Sequence, residues 1–135
     1  MTQEDKELLL KDLCARLPYG VKIRLGDYDY QVCGYDSEKE MPVKIWYYYN
    51  SNRTLKSYID VYLTDYRPYL RPMSNMNEEE KEEYRNIDNR SYSCPIDYAH
   101  IPASDRIDWL NAHHFDFRNL IGRGLALEAP EGMYK

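Results

Sequence analysis

The side chains of this chain that are best suited to binding chemistry are arginines and tyrosines in its middle and C-terminal parts. Arginine binds phosphate through a planar fork of N–H donors, and tyrosine offers a ring on which a nucleobase can stack. Together the two residue types predict an anion or nucleotide pocket, provided that the fold brings them together. The alternative is that the arginines form surface ion pairs in an acid-rich chain. The candidates are Arg67, Arg71, Arg118 and Arg123, with Tyr47, Tyr49, Tyr66 and Tyr69 as stacking partners.

Histidine and cysteine supply the remaining candidates for chemistry. His113 and His114 are adjacent, so on a helix they point about 100° apart and do not readily bind one metal ion together. A catalytic or metal-binding role would need further partners such as His100 and Asp116, and the alternative is a helix C-terminus whose carbonyls the histidines cap. No cysteine lies in a nucleophile or zinc motif, and Cys14 is expected in the core. We therefore predict no metal and no cofactor, and we favour a binding protein over an enzyme.

The first half of the chain contains regular elements that must position these side chains. Thr2 can cap a helix over residues 3–16, whose leucines recur at helical spacing, and a Pro-Tyr-Gly sequence then ends it. Beyond this helix the apolar period changes to two, and the Gly-Asp pair at 26–27 predicts a tight hairpin. Alternating residues at 43–49 and 57–63 predict a third and a fourth strand of an antiparallel meander.

The part of the chain from residue 66 mixes proline-rich and helical patterns. Residues 66–76 contain two prolines and predict an extended edge segment, which could form a short fifth strand. Asn77 and Glu80 have the spacing of a capping box, and they predict an acidic surface helix over 78–86. Residues 88–102 show no regular period, so we predict irregular structure there.

A last helical pattern precedes the C-terminal residues. Ser104 can cap a helix that ends near residue 114. A further helical turn at 115–121 and a short strand at 125–127 follow. The residues of the capped helix that we expect to face inward are Ile107, Leu110 and His114. The predicted fold is one α+β domain over residues 1–135, with an N-terminal helix, an antiparallel four- to five-stranded curled sheet or small open barrel, and C-terminal helices packed on it.

The composition limits the functions that the chain can have. Its 135 residues are 43% hydrophobic and 30% charged, which suits one folded domain. The 18 basic and 23 acidic residues give a net charge of −5, which disfavours duplex nucleic acid as a partner. No stretch approaches the roughly 18 apolar residues that span a membrane, and no signal peptide is recognisable. An odd number of cysteines fits free thiols in a reducing cytoplasm; they are Cys14, Cys33 and Cys94.

Tyrosine dominates the aromatic residues, with 15 Tyr against 2 Phe and 2 Trp. A tyrosine carries a large apolar ring and a hydroxyl that needs a partner, so this number favours half-exposed aromatic surface as well as core. Such a surface could bind a partner or support self-association into a homo-oligomer. The alternative is that strands simply favour tyrosine.

Four segments resemble a family of short proteins encoded by phages, prophages and mobile elements of gut bacteria. The segments are KDLCARLPYG (11–20), YLRPMSNMNEEE (69–80), DWLNAHHFDFR (108–118) and GLALEAPEGMY (124–134). The resemblance touches most of the chain and brings no established activity or catalytic residue with it.

The resemblance implies a setting and a class of role. Small accessory proteins of phages often bind a host protein or the nucleotide signal of a defence system. From it we expect a non-enzymatic accessory binding protein in the cytoplasm of a bacterial host, acting in counter-defence by binding a host protein. The first alternative is a sponge that sequesters a nucleotide second messenger in the Arg/Tyr pocket. The second is a small hydrolase that uses His113 or His114.

Overall fold

The computed structural model describes residues 2–36, 43–48, 56–61, 65–93 and 101–134. Within these ranges the chain forms three α-helices, six β-strands and two short 3₁₀ turns. The predicted α+β class is confirmed, with an N-terminal helix, a sheet that does not close, and later helices. Three residues named above lie outside the described ranges, namely Tyr49, Cys94 and His100.

Helix α1 spans Gln3–Arg16 as predicted, because its ends are set by local interactions. The Thr2 hydroxyl accepts a hydrogen bond from the Asp5 amide at 3.1 Å, and the Asp5 carboxylate accepts one from the Thr2 amide at 3.2 Å. These two bonds satisfy amide groups that the first turn of a helix leaves unpaired. A 3₁₀ turn at Leu17–Tyr19 and the left-handed Gly20 then end the helix.

The buried face of α1 carries charged residues as well as leucines. Leu9 and Leu13 are buried as expected, and Asp12 and Arg16 are buried on the same face. These four positions recur at intervals of three and four, which defines one side of a helix. Cys14 lies outside this stripe and is exposed, so the prediction that it belongs to the core is wrong.

The next four strands form the predicted antiparallel meander. They are β1 (Lys22–Leu25), β2 (Tyr28–Asp36), β3 (Val43–Tyr48) and β4 (Lys56–Val61). A two-residue turn joins β1 to β2, and its first residue, Gly26, has φ +62°, a left-handed conformation that glycine adopts without steric cost.

The segment with two prolines contributes an interior strand. Strand β5 (Tyr66–Leu70) lies antiparallel to β1 on one side and parallel to β6 (Leu127–Glu128) on the other, which gives the order β4-β3-β2-β1-β5-β6. The predicted fifth strand is present, but its predicted edge position is wrong, and the short β6 makes the sheet mixed. Proline has no backbone N–H to donate. Pro68 is tolerated in this strand because β6 pairs with Tyr69 and Leu70 and does not reach Pro68.

Helices α2 and α3 are longer than the sequence pattern indicated. Helix α2 spans Glu78–Ser93, and α3 spans Ile101–Ala112, so the prediction of irregular structure at 88–102 is wrong at both ends of that range. The predicted capping box of α2 is present, with Asn77 Oδ1 accepting from the Glu80 amide at 2.8 Å. Position 104 lies within α3, so the prediction that this helix begins with Ser104 as its N-cap is wrong.

The orientation of α3 follows from its packing against α2. The ring of Trp109 lies 5.6 Å from that of Tyr84, and its indole N–H donates to Glu83 at 3.1 Å. Leu110 is buried as predicted, whereas Ile107 is 44% exposed. Position 107 is about 200° around the helix from Trp109, so the prediction that Ile107 faces inward is wrong.

The residues after α3 form an extended bridge and a turn. Phe115 pairs with Arg71 in an isolated parallel bridge. The prediction that a helical turn begins at residue 115 is therefore wrong. The Asp116 carboxylate instead accepts from the amides of Leu120 and Ile121, at 2.8 and 2.9 Å, and thereby orders the following turn. The predicted strand at 125–127 forms two residues later, as β6.

The core lies between α1 and one face of the sheet. It combines residues of α1, β1, β2, β5 and the turn before β6, including Leu13, Ile23, Val32, Leu70 and Leu120. In the described part of the chain, no helix is both long and apolar enough to cross a membrane.

Candidate functional site

Three of the four predicted arginines lie against carboxylates. Arg71 forms two hydrogen bonds to Glu80, both of 2.7 Å. Arg118 donates to Asp12 at 2.7 Å. Arg123 donates to Asp5 at 3.2 Å. Charge-assisted pairs of this kind neutralise both partners locally.

The fourth arginine, Arg67, lies apart from these three. It is exposed on β5, opposite Arg24 of β1, and the two line a depression of about 400 Å³ together with Asp65. Neither Arg118 nor Arg123 lines this depression or the two clefts described below, so the structure places the four arginines at separate positions.

The described tyrosines of the predicted pocket pack within the fold. Tyr66 and Tyr69 are buried, and the ring of Tyr47 packs on Tyr30 with centroids 4.6 Å apart. The Tyr69 hydroxyl donates to Asp29 at 2.8 Å. Burial raises the pKa of Tyr69, and the Asp29 carboxylate raises it further.

A cleft of about 720 Å³ opens beside the end of α3. The 3₁₀ turn, strands β1 and β2, the residues after α3 and the pair Met133 and Tyr134 line it. We call it the basic cleft, because Lys22 and Arg71 line it together with His113 and His114, and none of its described lining residues is acidic. Of the predicted site residues it contains Arg71, along with His113 and His114.

His113 lies at the mouth of the basic cleft in an aromatic stack. Its ring centroid is 4.2 Å from that of Trp109, and its Nδ1 is 3.6 Å from Glu80 Oε2. That separation is too long for a strong hydrogen bond. Glu80 already accepts from Arg71 and from the Asn77 amide, and the Arg71 guanidinium lowers the pKa of the Glu80 carboxyl.

His114 is held deep in the wall of the same cleft. The residue is 4% exposed and its backbone has φ +61°, a left-handed conformation that glycine favours and that asparagine, aspartate and histidine adopt more often than other residues. Its carbonyl accepts from the Arg71 amide at 2.8 Å, which holds the residue in place. Burial, and then the nearby Arg16 cation, lower the pKa of His114 to about 4. Its Nδ1 is buried and has no hydrogen-bond partner among the described residues.

Tyr134 covers His114 and bridges two strands. The two rings are stacked with centroids 3.7 Å apart. The Tyr134 hydroxyl accepts from the Lys22 amide at 2.9 Å and donates to the Tyr69 carbonyl at 2.7 Å. The pairing of β1 with β5 ends at Ile23 opposite Pro68, so the hydroxyl occupies the next step of that ladder. Burial raises the pKa of Tyr134, which keeps the phenol protonated.

A buried ion-pair network that the sequence analysis missed supports this wall. Arg16 is completely buried, its Nε donates to both Asp12 oxygens at 3.0 Å, and its Nη2 donates to the Phe115 carbonyl at 2.6 Å. Arg118 donates to the same Asp12 carboxylate. The network ties the residues that follow His114 to α1. The only signal in the sequence was an Asp–Arg pair at i, i+4 on the leucine face of α1.

A second cleft, of about 900 Å³, adjoins the first. Glu80, Glu128 and Glu131 line it, and we call it the acidic cleft. It shares three lining residues with the basic cleft, namely Arg71, His113 and Tyr134. Within the described residues, no group of three or more His, Cys, Asp or Glu side chains could hold a metal ion.

Comparison of the chain with protein-family models, with curated proteins and with solved structures gave no match. The candidate site therefore depends on the geometry described above.

Proposed function

We propose that this protein is a non-enzymatic binding protein whose basic cleft takes a small anionic ligand. The observation that carries this proposal is the charge of the lining, which contains Lys22 and Arg71 and no acidic side chain among its described residues. The chain has a net charge of −5, so a cleft lined by cations has the opposite sign of charge to the protein as a whole. A cleft lined by one sign of charge concentrates ligands of the opposite sign.

Lys22 is the cation best placed to meet an anion. Its ammonium group donates to the Met133 carbonyl at 3.3 Å, a long bond to a neutral acceptor. Arg71, by contrast, is already neutralised by two short bonds to Glu80. An anionic group in the cleft would therefore gain most from Lys22, with Arg71 and Gln31 as additional N–H donors.

The dimensions and walls of the cleft favour a nucleotide-type ligand. Its volume of about 720 Å³ lies within the range of about 300–1,000 Å³ that is common for small-molecule sites. Tyr19 and His113 line it beside the cations, and aromatic faces hold nucleobases by stacking. This supports the nucleotide-sponge role, with Lys22 and Arg71 as the basic residues of the pocket.

Binding of a host protein in counter-defence is the second proposed role. Its physical support is the hairpin between β1 and β2, where Tyr28 is 70% exposed beside the turn. Exposed tyrosines are enriched in the energetically important parts of protein interfaces. A tagged protein that retains a specific host protein, and loses it on Tyr28→Ala, would favour this role over the nucleotide sponge.

The hydrolase alternative has less support in the geometry of the two histidines. The side chain of His114 is buried beneath Tyr134, and the carboxylate nearest to His113 is already bound by Arg71. A general base needs hydrogen-bond reach to the proton it removes. Turnover of aryl phosphate or ester substrates that is lost on His113→Gln would contradict the binding proposal.

The test of the anion site compares ligand-induced stabilisation in two matched variants. Wild-type protein is screened by thermal shift against nucleoside mono- and diphosphates, cyclic dinucleotides and inorganic phosphate, since a ligand of the folded state raises Tm by mass action. Lys22→Gln should weaken binding about tenfold, because one charge-assisted hydrogen bond is lost. Lys11→Gln, at an exposed position of α1, should leave binding unchanged. Equal affinities in all three proteins would remove the basic cleft from consideration.

A further inference from the structure

Tyr134 lies where the basic cleft meets the acidic cleft. It lines both of them, as do Arg71 and His113. The two depressions are therefore neighbours, with the Tyr134 side chain at their shared border. Whatever moves Tyr134 changes the shape of both clefts at once.

The Tyr134 side chain is held by a ring stack and two hydrogen bonds, which are the kinds of contact that hold a bound aromatic ligand. Its ring stacks on His114 at 3.7 Å, and its hydroxyl takes one hydrogen bond from a backbone amide and gives one to a backbone carbonyl. The amide of Lys22 and the carbonyl of Tyr69 are the groups that would otherwise face each other across β1 and β5. We call the space that the Tyr134 side chain fills the slot. It offers the ring face of His114, the amide donor of Lys22 and the carbonyl acceptor of Tyr69 in fixed positions.

Among the described residues, the hydrogen bonds that join the segment at 129–134 to the rest of the fold lie at its two ends. At one end the Ala129 amide donates to the Leu70 carbonyl at 2.7 Å. At the other end Lys22 and the slot hold Met133 and Tyr134. The three residues between them, at positions 130–132, are exposed, and Gly132 has φ +80°. Segments with few buried contacts open at a low free-energy cost, independently of the rest of a fold.

Removal of this segment would free several groups for a ligand together. The Lys22 ammonium would lose its bond to the Met133 carbonyl, and the Lys22 amide and Tyr69 carbonyl would lose the phenol. The covered face of His114, whose Nδ1 has no hydrogen-bond partner among the described residues, would also be exposed. A cation, an amide donor, a carbonyl acceptor and a ring face would then lie within one groove.

We propose that the slot filled by Tyr134 is the ring-binding half of the ligand site, and that a nucleoside phosphate binds by displacing Tyr134. A nucleobase edge carries N–H donors and ring or carbonyl acceptors, so it can replace the phenol between Lys22 and Tyr69. Its ring takes the stack on His114, and its phosphate binds the ammonium group of Lys22. This inference rests on the proposed function and specifies which part of the ligand binds where.

Whether Tyr134→Ala raises or lowers the affinity for nucleotides tests the proposal that the ligand displaces Tyr134. If Tyr134 competes with the ligand, Tyr134→Ala binds nucleoside monophosphates more tightly than wild type. The gain is about tenfold if the slot is filled for nine-tenths of the time, because apparent affinity scales with the fraction of competent molecules. Tyr134→Phe keeps the ring, loses both hydroxyl bonds, and should show a smaller gain of the same sign. Ile107→Ala, at an exposed position of α3 that lines neither cleft, should bind as wild type does.

The possible results of this titration separate the inference from the function on which it rests. If wild-type protein binds and Lys22→Gln weakens binding, but Tyr134→Ala binds equally or more weakly, Tyr134 is a fixed wall and only the displacement is wrong. If neither wild type nor Tyr134→Ala binds any nucleotide of the panel, the proposed function and the inference are both wrong. A nucleoside without phosphate and inorganic phosphate alone serve as half-ligands, and each should bind Tyr134→Ala more weakly than the intact nucleotide.

Native-state hydrogen exchange tests the opening without any ligand or mutation. The Lys22 amide donates to Tyr134, whereas the Val32 amide donates to the Val21 carbonyl at 2.9 Å within the sheet. We expect the Lys22 amide to exchange through a local opening that is insensitive to low denaturant, and the Val32 amide to exchange through global unfolding. Equal protection and equal denaturant sensitivity of the two amides would overturn the inference.

Discussion

Acidification should destabilise this protein through the buried imidazole of His114. His114 has a pKa of about 4 in the folded protein against 6.5 in an unfolded chain, because burial penalises its charged form and the Arg16 cation adds to that penalty. Between these two values the unfolded chain binds a proton that the folded protein does not bind. The free energy of unfolding must therefore fall as the pH is lowered through this window.

The size of the effect follows from the two pKa values. Each pH unit below 6.5 costs about 1.4 kcal/mol until the folded pKa is reached, so lowering the pH from 7.5 to 5.0 should remove about 2 kcal/mol. The loss begins near pH 6.5 and is complete near pH 4. The carboxyls of Asp5 and Glu80, whose pKa values are lowered, weaken the fold only at more acidic pH. The interval from 7.5 to 5.0 therefore reports mainly on histidine.

Denaturant unfolding at several pH values provides the assay, with two histidine variants. His114→Asn keeps a residue that tolerates the positive φ and does not titrate, so its stability should vary by about 2 kcal/mol less than that of wild type over this interval. His113→Asn removes the adjacent, half-buried imidazole and serves as the matched control for the loss of a histidine side chain. Parallel curves for wild type and His114→Asn would show that the buried imidazole does not control acid stability.

Two further substitutions test the wall of the basic cleft by denaturant unfolding. Asp12→Ala leaves the buried Arg16 cation without its carboxylate and should lower the free energy of unfolding by about 3–5 kcal/mol. The double variant Asp12→Leu with Arg16→Met removes both charges and should recover most of that loss. Equal losses in the two variants would contradict the ion-pair argument. Gly20→Ala should cost about 1–2 kcal/mol for its left-handed φ, plus a contribution from a Cβ that would lie 2.7 Å from the side-chain nitrogen Nε2 of Gln31. Gly26→Ala shares the positive φ in open space, so a loss as large as that of Gly20→Ala would show that the Gln31 contact is unimportant.

Features set by neighbouring residues could be predicted from the sequence. The bounds of α1, the hairpin at Gly26 and the capping box of Asn77 with Glu80 all depend on contacts within a few positions. The class of fold followed, since a helix, a meander of strands and later helices leave few ways to bury their apolar faces. What failed was placement across elements, as with the exposed Cys14 and Ile107.

The chemical types available to the site were likewise fixed by the sequence, but their grouping was not. Arginines and histidines were recognisable as candidates, yet Arg71, Arg118 and Arg123 each lie against a carboxylate at least nine positions away in sequence, which no local pattern indicates. The basic cleft combines residues 17–20, 22, 31–33, 71, 112–114 and 133–134, which only the folded chain brings together.

Local hydrogen bonding and apolar period act within a few residues, and they determined the helices, the hairpin and the caps of this protein. The wall of the basic cleft depends instead on long-range contacts: Arg16 to Phe115, and Tyr134 to Lys22 and Tyr69. Burial sets the pKa of His114, and it is likewise decided by what packs around that residue. Those contacts join positions that are about sixty to more than one hundred residues apart, so only the tertiary structure could determine them.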